Sequence, residues 1–159
     1  LITNGKPVRG DMTAAANDLK MEIVYKSSDG IEIDPTRIKQ GTDFLAEVKI
    51  TNPSTSGKRY DEMALSQVFP SGWEITNTRM DDVSDTGGTL PEYQDFRDDR
   101  VYTYFDINSG TTHKYVIQLN AAYQGKFYLP TLSCEAMYDN TINAREPGAW
   151  VEVIAPKEM

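Results

Sequence analysis

The sequence predicts an all-β chain folded as an antiparallel β-sandwich. Three observations carry this. Apolar residues recur at every second position over short stretches, the period of a half-buried strand rather than of a helix. These stretches are cut by Gly, Pro, Asn and Asp, which end ladders and make turns. They return at roughly 8–15-residue intervals, the spacing of sandwich strands. The best helical stretch, Met12 to Lys20, has no second apolar turn.

The elements follow in chain order. Leu19-Lys20-Met21-Glu22-Ile23 alternates, Val24 and Tyr25 extend it, and Ser27-Ser28-Asp29-Gly30 turns the chain into Ile31-Glu32-Ile33. Phe44 to Ile50 is a strand closed by Asn52-Pro53. Glu62 to Phe69 places Met63 and Leu65 on one face, and Pro70-Ser71-Gly72 turns it into Trp73-Glu74-Ile75-Thr76. Residues Thr78 to Asp98 are polar and read as a long loop. Arg100 to Ile107 carries the strongest strand signal, and Asn108-Ser109-Gly110 leads into Thr112 to Ala122, with Tyr115, Ile117 and Leu119 inward. Gly125 to Leu129 and Leu132 to Met137 flank Pro130, and Ala149 to Ile154 is the last strand, with Trp150 opposite Val151 and Val153.

Composition bounds the function. A chain of 159 residues and 17.9 kDa is one domain with room for a real core. Its net charge of -8 and pI of about 4.6 disfavour nucleic acid and anionic lipid, which repel an acidic surface. One Cys excludes an internal disulfide, and one His excludes a His-rich metal site. No apolar run approaches the ~20 residues that span a bilayer. The opening Leu1-Ile2-Thr3-Asn4-Gly5 reads as a fragment or a processed chain. Residues 1–18 are read as a linker or an extension from a preceding domain, and 19–159 as the sandwich domain.

No catalytic constellation is evident. His113, at the start of a strand, is either a surface histidine beside a turn or a general base. Cys134 alternates with Ala136 on one face and reads as a small buried apolar residue; a nucleophilic role needs a base, and His113 is the only candidate. Asp81, Asp82, Asp85, Asp95, Asp98 and Asp99 make the stretch 81–99 acidic. Such carboxylates can hold Ca²⁺, but the spacing is not that of a calcium loop, and Arg97 and Arg100 are interleaved. A solvated loop with weak local ion pairs is the ordinary reading.

Several segments, in order, resemble the bacterial alpha-2-macroglobulins. They are Leu65-Ser66-Gln67-Val68-Phe69-Pro70-Ser71-Gly72-Trp73-Glu74-Ile75, Asp98-Asp99-Arg100-Val101-Tyr102-Thr103-Tyr104-Phe105-Asp106, Gly125-Lys126-Phe127-Tyr128-Leu129-Pro130, and Glu135-Ala136-Met137-Tyr138 followed by Ala144-Arg145. The likeness runs from about Leu19 to the end and is to the last, C-terminal macroglobulin-like domain of that family. It is also similar to the receptor-binding domain of the animal proteins.

The resemblance implies a macroglobulin-like sandwich, related to fibronectin type III domains, within a secreted, multidomain protease trap. It implies a periplasmic or cell-surface setting, often with a lipid anchor on the full-length protein. In many members a Cys-x-Glu-Gln thioester in another domain acylates the trapped protease, and the last domain packs against it and shields it from water. The chain departs from that motif: Cys134-Glu135-Ala136-Met137 has no Gln at the fourth place, so Cys134 is not the reactive cysteine. The position matching the family's shielding tyrosine is Tyr138. An aromatic plug excludes water from a hydrolysable acyl bond. The expected partners are the thioester domain and its neighbours in the same chain, with target proteases reached through the whole protein. No enzyme activity, cofactor or membrane contact is expected of the domain itself. The competing readings are a generic adhesion or carbohydrate-binding sandwich, a Ca²⁺-binding accessory domain, and a hydrolase built on His113.

Overall fold

The computed structural model describes residues 15–76 and 93–156. Among them, thirteen strands, numbered in chain order, form three sheets. A four-stranded sheet has the order β2 (Lys20–Ser27), β4 (Asp43–Thr51), β9 (Thr112–Ala121), β6 (Trp73–Ile75). A six-stranded sheet has the order β1 (Ala15–Asn17), β12 (Asp139–Glu146), β11 (Leu132–Ala136), β5 (Tyr60–Val68), β8 (Arg100–Ile107), β7 (Tyr93–Phe96). A three-stranded sheet has the order β10 (Gly125–Leu129), β13 (Ala149–Ile154), β3 (Arg37–Lys39). Every pairing is antiparallel except β13 with β3, which is parallel.

Alternation explains the layers. On β4 the side chains of Phe44, Ala46, Val48 and Ile50 point inward and are fully buried, because successive residues of a strand face opposite sides. The same rule buries Tyr115, Ile117 and Leu119 on β9, and Val101, Thr103, Phe105 and Ile107 on β8. Two apolar clusters result. In the first, Val48, Ile50 and Tyr115 meet Met63, Leu65, Phe105 and Cys134 from the six-stranded sheet. In the second, Phe44, Trp73, Ile117 and Leu119 meet Val151, Val153 and Phe127 from the three-stranded sheet. Trp73 stands edge-on to Phe44, with ring centroids 4.9 Å apart. Each large side chain buried this way contributes about 1.5–3 kcal/mol of transfer free energy.

The strands read from alternation are present, with the inward faces of β5, β9 and β11 and the outward Trp150, except Ile31-Glu32-Ile33, where Ile31 is exposed and only Glu32 forms an isolated bridge to Lys26. Four strands were not anticipated. β1 lies within the segment read as an extension, and pairs with β12 rather than forming the weak helix signalled at Met12 to Lys20. β7 occupies the end of the stretch read as a loop, pairing with β8 from Tyr93 to Phe96. β3 adds a parallel edge to β13, and β12 closes a hairpin with β11.

Candidate functional site

The β11–β12 hairpin has a two-residue tip. Ala136 pairs with Asp139, so Met137 and Tyr138 form the turn. Tyr138 is 82% exposed, more than any other large hydrophobic residue among the described residues, and Met137 is half exposed beside it. The Tyr138 ring therefore stands in solvent at the end of the hairpin, where it contributes little to the core.

The tip is held from two sides. On the β12 side, Asp139 Oδ1 accepts hydrogen bonds from the Thr141 amide at 3.1 Å and hydroxyl at 2.6 Å. These bonds, the hydroxyl's first, hold the Asp139 carboxyl below the usual carboxylate range. On the β5 side, the Met137 amide donates to the Glu62 carbonyl at 2.9 Å. Glu62 has φ 57°, a left-handed conformation uncommon for a residue with a side chain. It sits in a bulge: Tyr60 faces Ile107 while Met63 faces Phe105, so β5 carries one extra residue. Beneath the bulge, Asp106 Oδ1 accepts the Glu62 amide at 2.9 Å. Arg59 Nη2 donates to Asp106 Oδ2 at 2.8 Å, and its Nε donates to Asp61 at 2.6 Å. At the start of β5, the Tyr60 hydroxyl donates to the Asp18 carbonyl at 2.7 Å, and Lys58 lies 5.9 Å from the Tyr60 ring centre. Burial, then the nearby Asp18 and Asp139 charges, push the Tyr60 phenol up.

The other candidate residues fall elsewhere. His113 is half-buried, with Nδ1 2.8 Å from the Tyr115 hydroxyl and its ring tilted against Phe105; burial lowers its pKa. Cys134 is fully buried between Leu65 and Ala144 on the flanking strands. Burial pushes its thiol up, and a thiol held protonated is a poor nucleophile. Asp95 is paired with Arg97 at 2.8 Å and Asp99 with Arg100 at 2.9 Å. Asp81, Asp82 and Asp85 lie outside the described residues, and among the described residues no cluster of three metal-ligating groups occurs.

A second feature went unread in the sequence. On the outer face of β4, Glu47 is buried beneath Lys26, Lys49 and Lys114. It lines a shallow cleft of about 660 Å³ that also takes in Ser28, Thr76 and Gln118. A second aromatic surface lies on the three-stranded sheet. There Trp150, 68% exposed, meets Tyr128 edge-on at 5.4 Å.

Comparison with known proteins places this geometry. Residues 20–140 match the family model described as the bacterial alpha-2-macroglobulin MG10 domain. The chain belongs to the bacterial alpha-2-macroglobulin family. The matched stretch includes the hairpin tip, Glu62 and Asp106. Among relatives, the chain is 22% identical over 98% of its length to an alpha-2-macroglobulin homolog of Yersinia pestis, and 31% identical over 75% to the alpha-2-macroglobulin of Rickettsia conorii. It spans only 9% and 6% of those proteins. Among solved structures, it superposes on a tyrosine-to-glycine mutant of Salmonella alpha-2-macroglobulin with a TM-score of 0.77. There the identity is 19%, and 94% of this chain covers 10% of that one. On native Escherichia coli alpha-2-macroglobulin the TM-score is 0.77 at 16% identity, with 95% of this chain covering 10% of that one. These alpha-2-macroglobulin structures confirm the macroglobulin-like sandwich.

Proposed function

We propose that this domain is a non-catalytic packing and shielding module of a protease-trapping alpha-2-macroglobulin, and that Tyr138 covers the thioester of a neighbouring domain. The observation that carries the reading is an exposed tyrosine on a hairpin tip fixed by the bulge at Glu62 and the turn at Asp139, within the stretch matched to the MG10 domain. A rigid aromatic plug keeps water off an acyl bond. Cys134, buried with its thiol pushed up, takes no part in that chemistry.

The same reading makes residues 19–159 one domain near the C-terminal end of a long, multidomain parent, with 1–18 leading in from the domain before it. An Escherichia coli structure running from domain MG7 to the C-terminus is among those the chain superposes on, in keeping with that position. The domain's partners are then the thioester domain and its neighbours. The target proteases are met by the whole protein, secreted to the periplasm or cell surface and held there by a lipid anchor.

The test uses the full-length parent. Wild type and Tyr138→Gly are exposed to radiolabelled methylamine and, separately, to a protease, and run on denaturing gels. The reading expects slow labelling of wild type, labelling several-fold faster in Tyr138→Gly, and a covalent protease adduct. Equal labelling rates in both proteins would remove the shielding role. The aromatic pair Tyr128–Trp150 favours a second reading, a carbohydrate-binding module, because exposed rings stack on sugar faces. Glycan-array binding that is lost in Trp150→Ala would support it.

A further inference from the structure

We propose that Asp106 is the positioning residue of the Tyr138 hairpin, acting through the bulge at Glu62; this rests on the shielding role of Tyr138. The argument begins with the Glu62 peptide groups. Its carbonyl accepts the Met137 amide at 2.9 Å, one residue from Tyr138. Its own amide points the other way and donates to Asp106 Oδ1, also at 2.9 Å. One residue thus ties the hairpin tip to the neighbouring strand β8.

That arrangement requires the unusual backbone. In a regular antiparallel strand the amide and carbonyl of one residue point to the same neighbouring strand, so residue 62 could not serve the hairpin tip and β8 at once. The extra residue and the φ of 57° break the β5–β8 ladder between Tyr60 and Met63. The Glu62 amide is left without a β8 carbonyl, and the Asp106 side chain takes the place of that carbonyl. Glutamate has no intrinsic preference for this conformation, so the geometry is imposed by its partners. Asp106 is itself held. Its second oxygen accepts from Arg59 at 2.8 Å, and Arg59 is fixed from the other side by Asp61. Asp106 is largely buried while Arg59 and Asp61 are exposed, so the carboxylate is the rigid member of the set. A charge-assisted bond from a backbone amide to a fixed carboxylate is among the stronger ones in a protein. The β12 side carries its own brace at Asp139 and Thr141. The tip is therefore set from both strands, and Asp106 governs the β5 side.

The experiment compares full-length parent proteins: wild type, Tyr138→Gly, Asp106→Leu, Asp106→Asn and Arg59→Met. Each is followed for its rate of radiolabelled methylamine incorporation and for its thermal midpoint. The carboxamide of Asp106→Asn keeps an oxygen for the Glu62 amide, whereas Asp106→Leu removes both acceptors. The proposal expects Asp106→Leu to label about tenfold faster than wild type, the factor expected when a bond to a charged acceptor is lost. It expects Asp106→Asn to stay close to wild type, and Arg59→Met to fall between them. A purely structural role would instead lower the thermal midpoint of Asp106→Leu and leave its labelling at the wild-type rate. If Tyr138→Gly labels fast while Asp106→Leu and Arg59→Met label like wild type, the Asp106 proposal is overturned and the shielding reading stands. If Tyr138→Gly also labels like wild type, both are overturned. Should Asp106→Leu fail to fold, Arg59→Met against Asp106→Asn carries the same decision.

Discussion

Replacing Glu47 by Gln turns a stabilising cluster into a repelling one. The Glu47 side chain is 8% exposed and lies 3.3 Å from Lys26, 3.7 Å from Lys114 and 4.0 Å from Lys49. The three ammonium groups are themselves a third to a half exposed, so solvent screens each pair. Measured values for such pairs are about 0.2–1 kcal/mol. Three pairs around one carboxylate give about 2 kcal/mol, with the buried carboxylate favouring the upper end. Glu47→Gln keeps the shape of the side chain, so cavity formation does not enter. The assay is urea unfolding at low salt and again in about 1 M salt, where the Debye length falls to about 3 Å. The expected result is a loss of about 2 kcal/mol at low salt that shrinks by at least half at high salt. A loss of the same size at both salts would refute the electrostatic account and point to packing of the amide instead.

Four further outcomes follow from the same structure. Trp73→Ala should cost about 3–5 kcal/mol, because the ring is buried against Phe44, Tyr25 and Phe69. Trp150→Ala on the exposed face should change stability by less than about 1 kcal/mol, and denaturant melts of the two variants decide this. Cys134 should resist iodoacetamide in the native protein and react only after unfolding, as read by mass spectrometry; labelling at native-state rates would contradict its burial. His113 supplies a pH dependence. Burial lowers its pKa from the ordinary 6.5, so the unfolded chain binds the extra proton first. Its contribution is complete above pH 6.5 and is lost as the pH falls through its lowered folded value. The thermal midpoint should drop between pH 7 and pH 5, and His113→Gln should flatten that slope. A slope unchanged in the variant would assign it to other groups.

The sandwich was legible where one face of a strand is wholly apolar. Phe44, Ala46, Val48 and Ile50 form one such face, and Tyr115, Ile117 and Leu119, expected inward, are buried as expected. Legibility failed where the inward face is short. β12 commits only Ile142 and Ala144 to the first cluster, and β3 only Ile38 to the second. The polar residues between them look like loop. β7 places Phe96 against the second cluster, while its tyrosine stacks on Tyr104 at the surface. Such edge strands are specified by the neighbour's ladder more than by their own pattern.

The site was half legible. Tyr138 was singled out by resemblance, and its exposure emerged only with the hairpin. The bulge at Glu62 did leave a trace. The inward residues Tyr60, Met63 and Leu65 are separated by three and then two positions. An odd step in a period of two signals one extra residue. Asp106 left none, since an aspartate on the outer face of a strand looks like ordinary surface until its hydrogen bond to the Glu62 amide is seen. Glu47 is similar: its place in the alternation says solvent, and only the three lysines folded over it bury it.

The central claim is that Tyr138 faces a thioester in the native parent protein. The most direct measurement places a benzophenone amino acid at position 138 of the full-length protein, irradiates the native form, and maps the crosslinked peptide by mass spectrometry. The account predicts a crosslink to the segment carrying the Cys-x-Glu-Gln motif, abolished after methylamine or protease treatment. A crosslink to any other segment, or one that persists unchanged after that treatment, would contradict it.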